Sequence, residues 1–247
     1  MKGTRPLDND EIRRVSAAFT GMYEIRNRGL FMIGVSTGGR ISELLSLTIG
    51  DVYQNKKPVS DLLYSKSIVK GGEVSRAVPV NADGRRAIDA LVTWHREHYG
   101  NPIASKRPLF PSRHNAGTVS MHRQTAHAIL KTAFIEAGLN GHIATHSLRK
   151  SFAQRLYDKT GDIYLVQELL GHRNISTTQK YLGVNYADAK AAVEAIALIT
   201  ESDRRPLLYN SITDIDDETL ITELVRRGYK LSDLPGNETT AEIIRIG

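Results

Sequence analysis

Apolar residues recur at helical spacing along the first part of the chain. The pattern predicts a first helix from a cap at Asp8 or Asn9 to about residue 20, and a second over roughly residues 23–36. The second helix ends at Thr37-Gly38-Gly39, because two consecutive glycines permit positive φ and interrupt a helix. Arg40 then opens a short helix with the sequence ISELLSL.

Two β-rich runs replace the helical pattern between residues 51 and 80. They cover residues 62–69 and 74–80 and flank Lys70-Gly71-Gly72-Glu73, a sequence typical of a hairpin turn. Pro79 lies late in the second run, as expected for an edge strand. Helical spacing then returns over residues 82–98, 119–137, 147–158, 162–170, 175–182 and 186–199. The predicted fold class is α+β, mostly helical with a small antiparallel sheet near residues 50–80.

The charge of the chain is unevenly distributed. Among 247 residues there are 33 Lys plus Arg and 27 Asp plus Glu, yet residues 201–247 hold ten acidic and six basic residues. That segment has a net charge of −4, and the preceding 200 residues have a net charge of +10. This distribution favours a polyanion-binding domain followed by a segment with another role. On composition alone, a merely solubilising surface explains it equally well.

The composition excludes several kinds of site. The chain has no cysteine, so disulfides, thiolate nucleophiles and cysteine-ligated zinc are ruled out. The N-terminal sequence MKGTRPLDNDEIRR has no apolar signal core, and no apolar run has the length of a membrane span. We therefore expect a soluble, cytoplasmic protein with no membrane partner.

The polar residues at the ends of the predicted elements are the candidates for chemistry. They are Arg40, Lys70, His146, Arg149, His172 and Tyr181. Singly, each is ordinary as a surface or packing residue, but together they suit the attack of a side-chain hydroxyl on a phosphodiester. Guanidinium groups can hold the non-bridging oxygens, a phenol is easier to activate than an aliphatic hydroxyl, and an ammonium can protonate the leaving oxygen. Such a site needs no metal, and no carboxylate cluster typical of a two-metal site is evident.

Four motifs occur in a fixed order: TGGRISELLSL, KGGEVSRAVPV, THSLRKSFA and LLGHRNISTTQKYL. His-x-x-Arg is followed by Gly-His and then by a tyrosine nine residues after that histidine. The ordered set resembles the tyrosine recombinase (phage integrase) family over roughly residues 5–200. The resemblance implies the catalytic-domain fold of that family, double-stranded DNA as partner, and strand cleavage and rejoining with no metal, cofactor or ATP.

The resemblance implies that two arginines and a lysine act on the scissile phosphate. Arg40 and Arg149 match the two arginines that grip this phosphate in the family. Lys70 matches the hairpin lysine that protonates the leaving 5′ oxygen.

The resemblance assigns the remaining roles to two histidines and a tyrosine. His146 matches the general-base or proton-relay histidine, and His172 matches a residue that hydrogen-bonds a phosphate oxygen. Tyr181 is the expected nucleophile, which forms a 3′-phosphotyrosyl intermediate and frees a 5′ hydroxyl.

Several charged residues beside the motifs have supporting roles. Glu43 lies one helical turn after Arg40, where the family has an acid that holds the histidine or arginine in place; the alternative is a solvated helix charge. For Arg76, a phosphate contact and simple solvation on the hairpin are equally plausible. Other residues near the motifs are expected to contact phosphates without reading sequence: His142, Lys150, Arg173 and Lys180.

The chain departs from the usual family pattern at both ends. The catalytic pattern already begins at residue 5, so the helical clamp (core-binding) domain that usually precedes it is expected to be absent, either in a fragment or in a minimal member. We expect residues 1–200 to form the catalytic domain and residues 201–247 an acidic extension. Within that extension, Asp216-Asp217-Glu218 opens a helix, TLITELVRRGYKL, that either binds a partner, inhibits the enzyme or packs back. The apolar face of residues 186–199 predicts docking on a neighbouring subunit and a tetramer on DNA.

These features predict a site-specific recombinase or integrase, acting at the nucleoid in a prokaryotic cytoplasm. One alternative is a catalytically silent DNA-binding accessory factor, against which the retention of all six chemical positions argues. Another is a type IB topoisomerase-like enzyme that relaxes DNA as a monomer. An unrelated phosphohydrolase is disfavoured, because water would have to replace Tyr181 without an organised metal.

Overall fold

The computed structural model describes residues 3–65, 75–182 and 217–228. Short antiparallel strands interrupt a mostly helical chain, which confirms the predicted fold class. The strands are β1 (Tyr53–Gln54), β2 (Lys57–Pro58), β3 (Asp61–Tyr64) and β4 (Arg76–Pro79). The helices are α1 (Asn9–Ala17), α2 (Glu24–Thr37), α3 (Ile41–Ser46), α4 (Ile49–Val52), α5 (Ala82–Tyr99), α6 (Arg123–Glu136), α7 (Thr145–Thr160), α8 (Ile163–Leu170), α9 (Ile175–Leu182) and α10 (Asp217–Arg226).

Local sequence signals determine where the first helices begin and end. The Asp8 side chain accepts a hydrogen bond from the Glu11 backbone (2.8 Å), and the Glu11 carboxylate accepts one from the Asp8 backbone (3.1 Å). This reciprocal cap confirms the predicted start of α1, although the helix ends at Ala17 rather than near residue 20. The second helix ends where Gly38 takes a left-handed conformation, with φ of 64°.

The predicted hairpin is present between β3 and β4. Its pairing runs from Asp61 opposite Pro79 to Tyr64 opposite Arg76. Residues 66–74, which include Lys70, lie outside the described residues. The strands are shorter than predicted next to this gap, because Ser65 lies beyond the end of β3 and Ser75 precedes β4.

A second, shorter hairpin was not predicted from the sequence. β1 and β2 pair across Asn55 and Lys56, which both have positive φ (52° and 61°). Such a turn favours Asn-Gly or Asp-Gly, and a lysine in its second central position gives little signal. Helix α6 also differs from the prediction, since it begins at Arg123 rather than at residue 119.

The buried helix α2 organises the core around which the candidate residues are arranged. Leu30, Phe31 and Ile33 are all fully buried, because α2 packs against neighbours on every side. One core cluster joins it to α3, α5 and the strands, and another joins it to α1 and α6. A separate cluster joins α7, α8 and α9. The turn that follows α2, at Gly38, is thereby held against α7 and α8.

The contacts divide the chain into residues 1–185 and residues 186–247. In the second unit, α10 confirms the helix predicted from its acidic start, and Glu223 pairs with Arg226 and Arg227 on the next turn. The boundary predicted at residue 200 and the docking helix predicted at 186–199 lie outside the described residues. None of the described helices is long and apolar enough to span a membrane.

We expect Gly29→Ala to lower the free energy of unfolding by about 1 kcal/mol. Gly29 lies where α2 crosses α5, and a methyl group there would be 2.6 Å from Leu91 Cδ1. Overpacking of this kind costs about 1–3 kcal/mol and outweighs the better helix propensity of alanine, which is about 1 kcal/mol. Urea unfolding measures the change, with Thr93→Ala on the exposed face of α5 as the control, expected within about 0.5 kcal/mol of wild type. A stabilised Gly29→Ala variant would contradict this close packing.

Candidate active site

Arg149 is the most deeply buried of the candidate residues that the structure describes, with 1% of its surface exposed. From the first turns of α7, its Nη1 donates to the Gly38 carbonyl (2.7 Å) and its Nη2 to the Leu170 carbonyl (2.5 Å). Both carbonyls are at helix ends, and the left-handed glycine after each helix stops it there. Burial, together with the positive charges of Arg40 and Arg76, lowers the pKa of Arg149 to about 10. It therefore remains a cation at neutral pH.

Glu43 is the carboxylate that holds two arginines at this site. Its Oε1 accepts from Arg40 Nη1 (3.1 Å) and Arg76 Nη1 (3.0 Å), and its Oε2 from the Arg40 backbone (2.7 Å) and Arg76 Nη2 (2.7 Å). Burial alone would raise the pKa of Glu43, but the hydrogen bonds and charge of Arg76 outweigh it and bring the pKa down to about 2. Glu43 is thus an ionised group inside the protein.

The sequence left open that Glu43 and Arg76 are solvated surface charges, and the structure shows that both interpretations are wrong. Glu43 is 3% exposed, so it is not a solvated helix charge. Arg76 is 8% exposed, so it is not a solvated hairpin residue either; its Nε donates to the Leu169 carbonyl (2.9 Å) and its guanidinium lies over the Tyr64 ring. Because Glu43 and Leu169 already engage all three guanidinium nitrogens, the phosphate contact predicted for Arg76 would have to come from its remaining N–H groups.

Tyr181 lies on α9 among four residues that the sequence had singled out. Its hydroxyl is 3.2 Å from His146 Nδ1, and its ring packs edge-on against His172 with centroids 5.0 Å apart. Lys150 Nζ lies 5.5 Å from the centre of the same ring. Arg149 is close enough for Tyr181 to affect its pKa. The structure therefore brings together the predicted nucleophile, the two histidines and the second arginine.

His146 is available as a proton acceptor. Burial, followed by the positive charges of Arg149, Arg40, Arg123 and Lys150, lowers its pKa. The imidazole is therefore neutral at neutral pH, and a neutral ring has one nitrogen free to accept a hydrogen bond. When Nδ1 is the nitrogen without the proton, it accepts the hydrogen bond and the Tyr181 hydroxyl donates it.

Other residues that the sequence did not reveal support the site. Thr178 lies within hydrogen-bond distance of His172 Nδ1, at 3.0 Å, and both side chains are buried. Tyr64 supports the Arg76 guanidinium with its ring, and its hydroxyl lies 2.7 Å from Thr37 Oγ1. Neither contact has a sequence signature, because a threonine or tyrosine in an amphipathic element is ordinarily a packing residue.

The remaining predicted positions are only partly tested. Arg173 and His142 are exposed, as DNA-contacting residues must be, and Lys150 donates to the Thr4 carbonyl. Lys70 and the side chain of Lys180 lie outside the described residues. Within residues 3–65, 75–182 and 217–228, no group of three or more His, Asp or Glu could hold a metal ion.

Comparisons with known proteins identify relatives of this chain. The model of the phage integrase family matches residues 5–188. Tyrosine recombinase XerD of Rickettsia bellii is 38% identical over 165 residues, which are 64% of this chain and 52% of that protein. Tyrosine recombinase XerC of Xanthomonas campestris pv. campestris is 34% identical over 181 residues, 73% of this chain and 51% of that protein. The chain thus spans about half the length of these relatives.

Two solved structures share the fold. XerH site-specific recombinase, bound to palindromic difH substrate in a post-cleavage complex, has a TM-score of 0.60 and 28% identity. That match covers 77% of this chain and 52% of XerH. XerA recombinase has a TM-score of 0.61 and 23% identity, covers 78% of this chain and 66% of XerA, and bears on the fold alone.

Proposed function

The chain belongs to the phage integrase family of tyrosine recombinases, and from that premise we propose that it cleaves and rejoins DNA strands at specific sites. The observation that carries the proposal is the 3.2 Å approach of the Tyr181 hydroxyl to His146 Nδ1, beside Arg149 and His172. A phenol beside a neutral imidazole and a buried guanidinium is suited to attack on a phosphodiester.

In the proposed step, the phenol oxygen of Tyr181 attacks the phosphorus and the bond from phosphorus to the 5′ oxygen breaks. The phenol proton passes to His146, and the 5′ oxygen leaves as a hydroxyl with a proton that we assign to Lys70. Arg40 and Arg149 stabilise the charge that develops on the non-bridging oxygens, and His172 adds a hydrogen bond. The 3′-phosphotyrosyl ester keeps the bond energy, so a 5′ hydroxyl from another strand can reverse the step without ATP.

The proposed partner is double-stranded DNA, bound by a chain whose first 200 residues have a net charge of +10. Phosphate contacts from Arg76, Lys150, Arg173 and Lys180 are part of this proposal. We further propose that four copies assemble on DNA through residues 186–199, and that the protein acts in a bacterial cytoplasm, since the matched XerC and XerD relatives are bacterial.

Covalent trapping on nicked DNA tests the proposed reaction. The substrate is a library of duplexes, each with a nick beside a randomised sequence. After cleavage, the short fragment that carries the 5′ hydroxyl diffuses away, so the reverse reaction cannot occur and the intermediate is trapped. We expect a protein–DNA adduct on a denaturing gel, formed without metal, whose DNA sequences converge on one site and whose modified peptide contains Tyr181. Non-covalent binding with no adduct would overturn the proposal in favour of an accessory factor.

The same protein, added to supercoiled plasmid, separates recombination from topoisomerase activity. A topoisomerase-like enzyme would relax plasmids of any sequence as a monomer. A recombinase is expected to need the selected site, and two copies of it for exchange. Relaxation of a plasmid that lacks the site would therefore contradict site-specific recombination while leaving the tyrosine chemistry in place.

A further inference from the structure

An extended segment at the start of the chain is fastened across the beginning of α7. We call residues 3–8 the N-terminal strap. The Arg5 backbone donates to the His142 carbonyl (3.0 Å), and the Leu7 backbone donates to Ser151 Oγ (2.7 Å), which is buried in α7. The strap thus has a fixed position relative to the helix that carries His146 and Arg149.

One contact of the strap leads directly to the nucleophile. Lys150 Nζ donates to the Thr4 carbonyl (2.6 Å) and lies 5.5 Å from the centre of the Tyr181 ring. A free lysine side chain samples many rotamers, and this hydrogen bond reduces them to those that keep the ammonium over the ring. A cation within about 6 Å of an aromatic ring is attracted to it, and more strongly when the ring becomes negative.

The groups that face Tyr181 have different positions around it. His146, from α7, meets the hydroxyl, and His172, from the turn after α8, meets the edge of the ring. Arg149 lies within electrostatic range from α7. Among the described residues, Lys150 is the group that places a full charge over the ring itself. When the Tyr181 proton moves to His146, negative charge spreads into this ring.

We propose that Lys150 is a positioning residue for the cleavage reaction, which the N-terminal strap holds over Tyr181 through the Thr4 carbonyl. The ammonium favours the charge that develops on the phenol as the phosphorus is attacked. The inference rests on the proposed function, since it assumes that Tyr181 is the nucleophile. It differs from the phosphate contact expected from the sequence, which would affect DNA affinity rather than the rate of the chemical step.

The rate of adduct formation at saturating nicked DNA, measured from pH 6 to 9.5, tests the proposal. We expect Lys150→Met to slow adduct formation about tenfold at pH 7, a size typical of a cation over an aromatic ring. The deficit should shrink as pH rises, because deprotonation of the phenol then needs less help. Lys150→Arg, which keeps a cation, should restore most of the rate. Lys159→Met, at an exposed position near the end of α7, is the control and should match wild type.

Ser151→Ala tests the strap without changing any charge. Loss of the Leu7 contact loosens the strap and with it the Thr4 carbonyl that holds Lys150. It should therefore slow adduct formation when Lys150 is present but add nothing in the Lys150→Met background, which has already lost the Thr4 contact. If Lys150 only contacts a DNA phosphate, Lys150→Met should bind DNA more weakly, and the salt dependence of binding should fall by about one ion. The rate of adduct formation at saturating DNA should then be unchanged. That outcome would overturn the inference. If wild type formed no adduct, the proposed function itself would fail.

Discussion

Tyr181→Phe is expected to abolish the covalent protein–DNA adduct and to leave DNA binding intact. The change removes one oxygen atom, the proposed nucleophile, and keeps the ring that packs against His172. Removal of a catalytic nucleophile lowers rates by about 10⁴-fold or more, which is below detection in a gel assay. The lost hydrogen bond to His146 should reduce the free energy of unfolding by only about 1 kcal/mol, so the variant should remain folded.

The matched control for this prediction is Tyr164→Phe. Tyr164 is 73% exposed on the neighbouring helix α8, and the same oxygen is removed from it. We expect its adduct yield to equal that of wild type, while a mobility-shift assay shows equal DNA affinity for both variants. An adduct that persists in Tyr181→Phe would mean that another side chain attacks the phosphorus.

Local features of the fold were predictable because they depend on residues adjacent in the chain. The cap at Asp8, the stop at Gly38 and the short helix after Arg40 each follow from a few neighbouring residues. The turn at Asn55 and Lys56 was missed because its geometry is imposed by pairing of the short strands rather than by favoured turn residues.

The candidate site was predictable as a set of residues but not as a network. Each motif contributes one or two groups, and their order along the chain allowed the resemblance to be recognised. The contact between Glu43 and Arg76, however, joins residues 33 positions apart on different elements. Likewise, Arg149 donates to the carbonyls of Gly38 and Leu170, which belong to two other motifs far from it in the chain. Long-range pairs of this kind depend on how helices pack, which sequence periodicity does not specify.

Glu43→Gln should give the largest loss of stability among single changes at the site. At pH 7 we expect the free energy of unfolding to fall by about 3–5 kcal/mol, because the change leaves buried Arg76 without its counter-charge beside Arg149. Urea unfolding of the full chain measures this loss. Glu168→Gln, at an exposed position on α8, is the control and should change stability by less than about 0.5 kcal/mol.

A double variant separates the loss of the pair from the loss of one partner. If the uncompensated guanidinium causes the instability, Glu43→Gln combined with Arg76→Met should be more stable than Glu43→Gln alone. Additive losses would mean instead that the two side chains support the fold independently. The double variant should still cleave DNA more slowly than wild type. Its Arg40 has lost the carboxylate that accepts hydrogen bonds from the Arg40 backbone and from Nη1.

The pH dependence of this stability difference follows from the pKa of Glu43. In the folded protein that pKa is lowered to about 2 from an ordinary value of 4.5, so the unfolded chain takes up the proton first as pH falls. The stabilisation by ionised Glu43 is complete above about pH 5 and is lost between about pH 4.5 and 2; the shift itself corresponds to about 3 kcal/mol. The difference between wild type and Glu43→Gln should therefore be constant from pH 8 to 5 and narrow below pH 4.5. A difference that stays constant down to pH 3 would contradict an ionised Glu43 in the folded state.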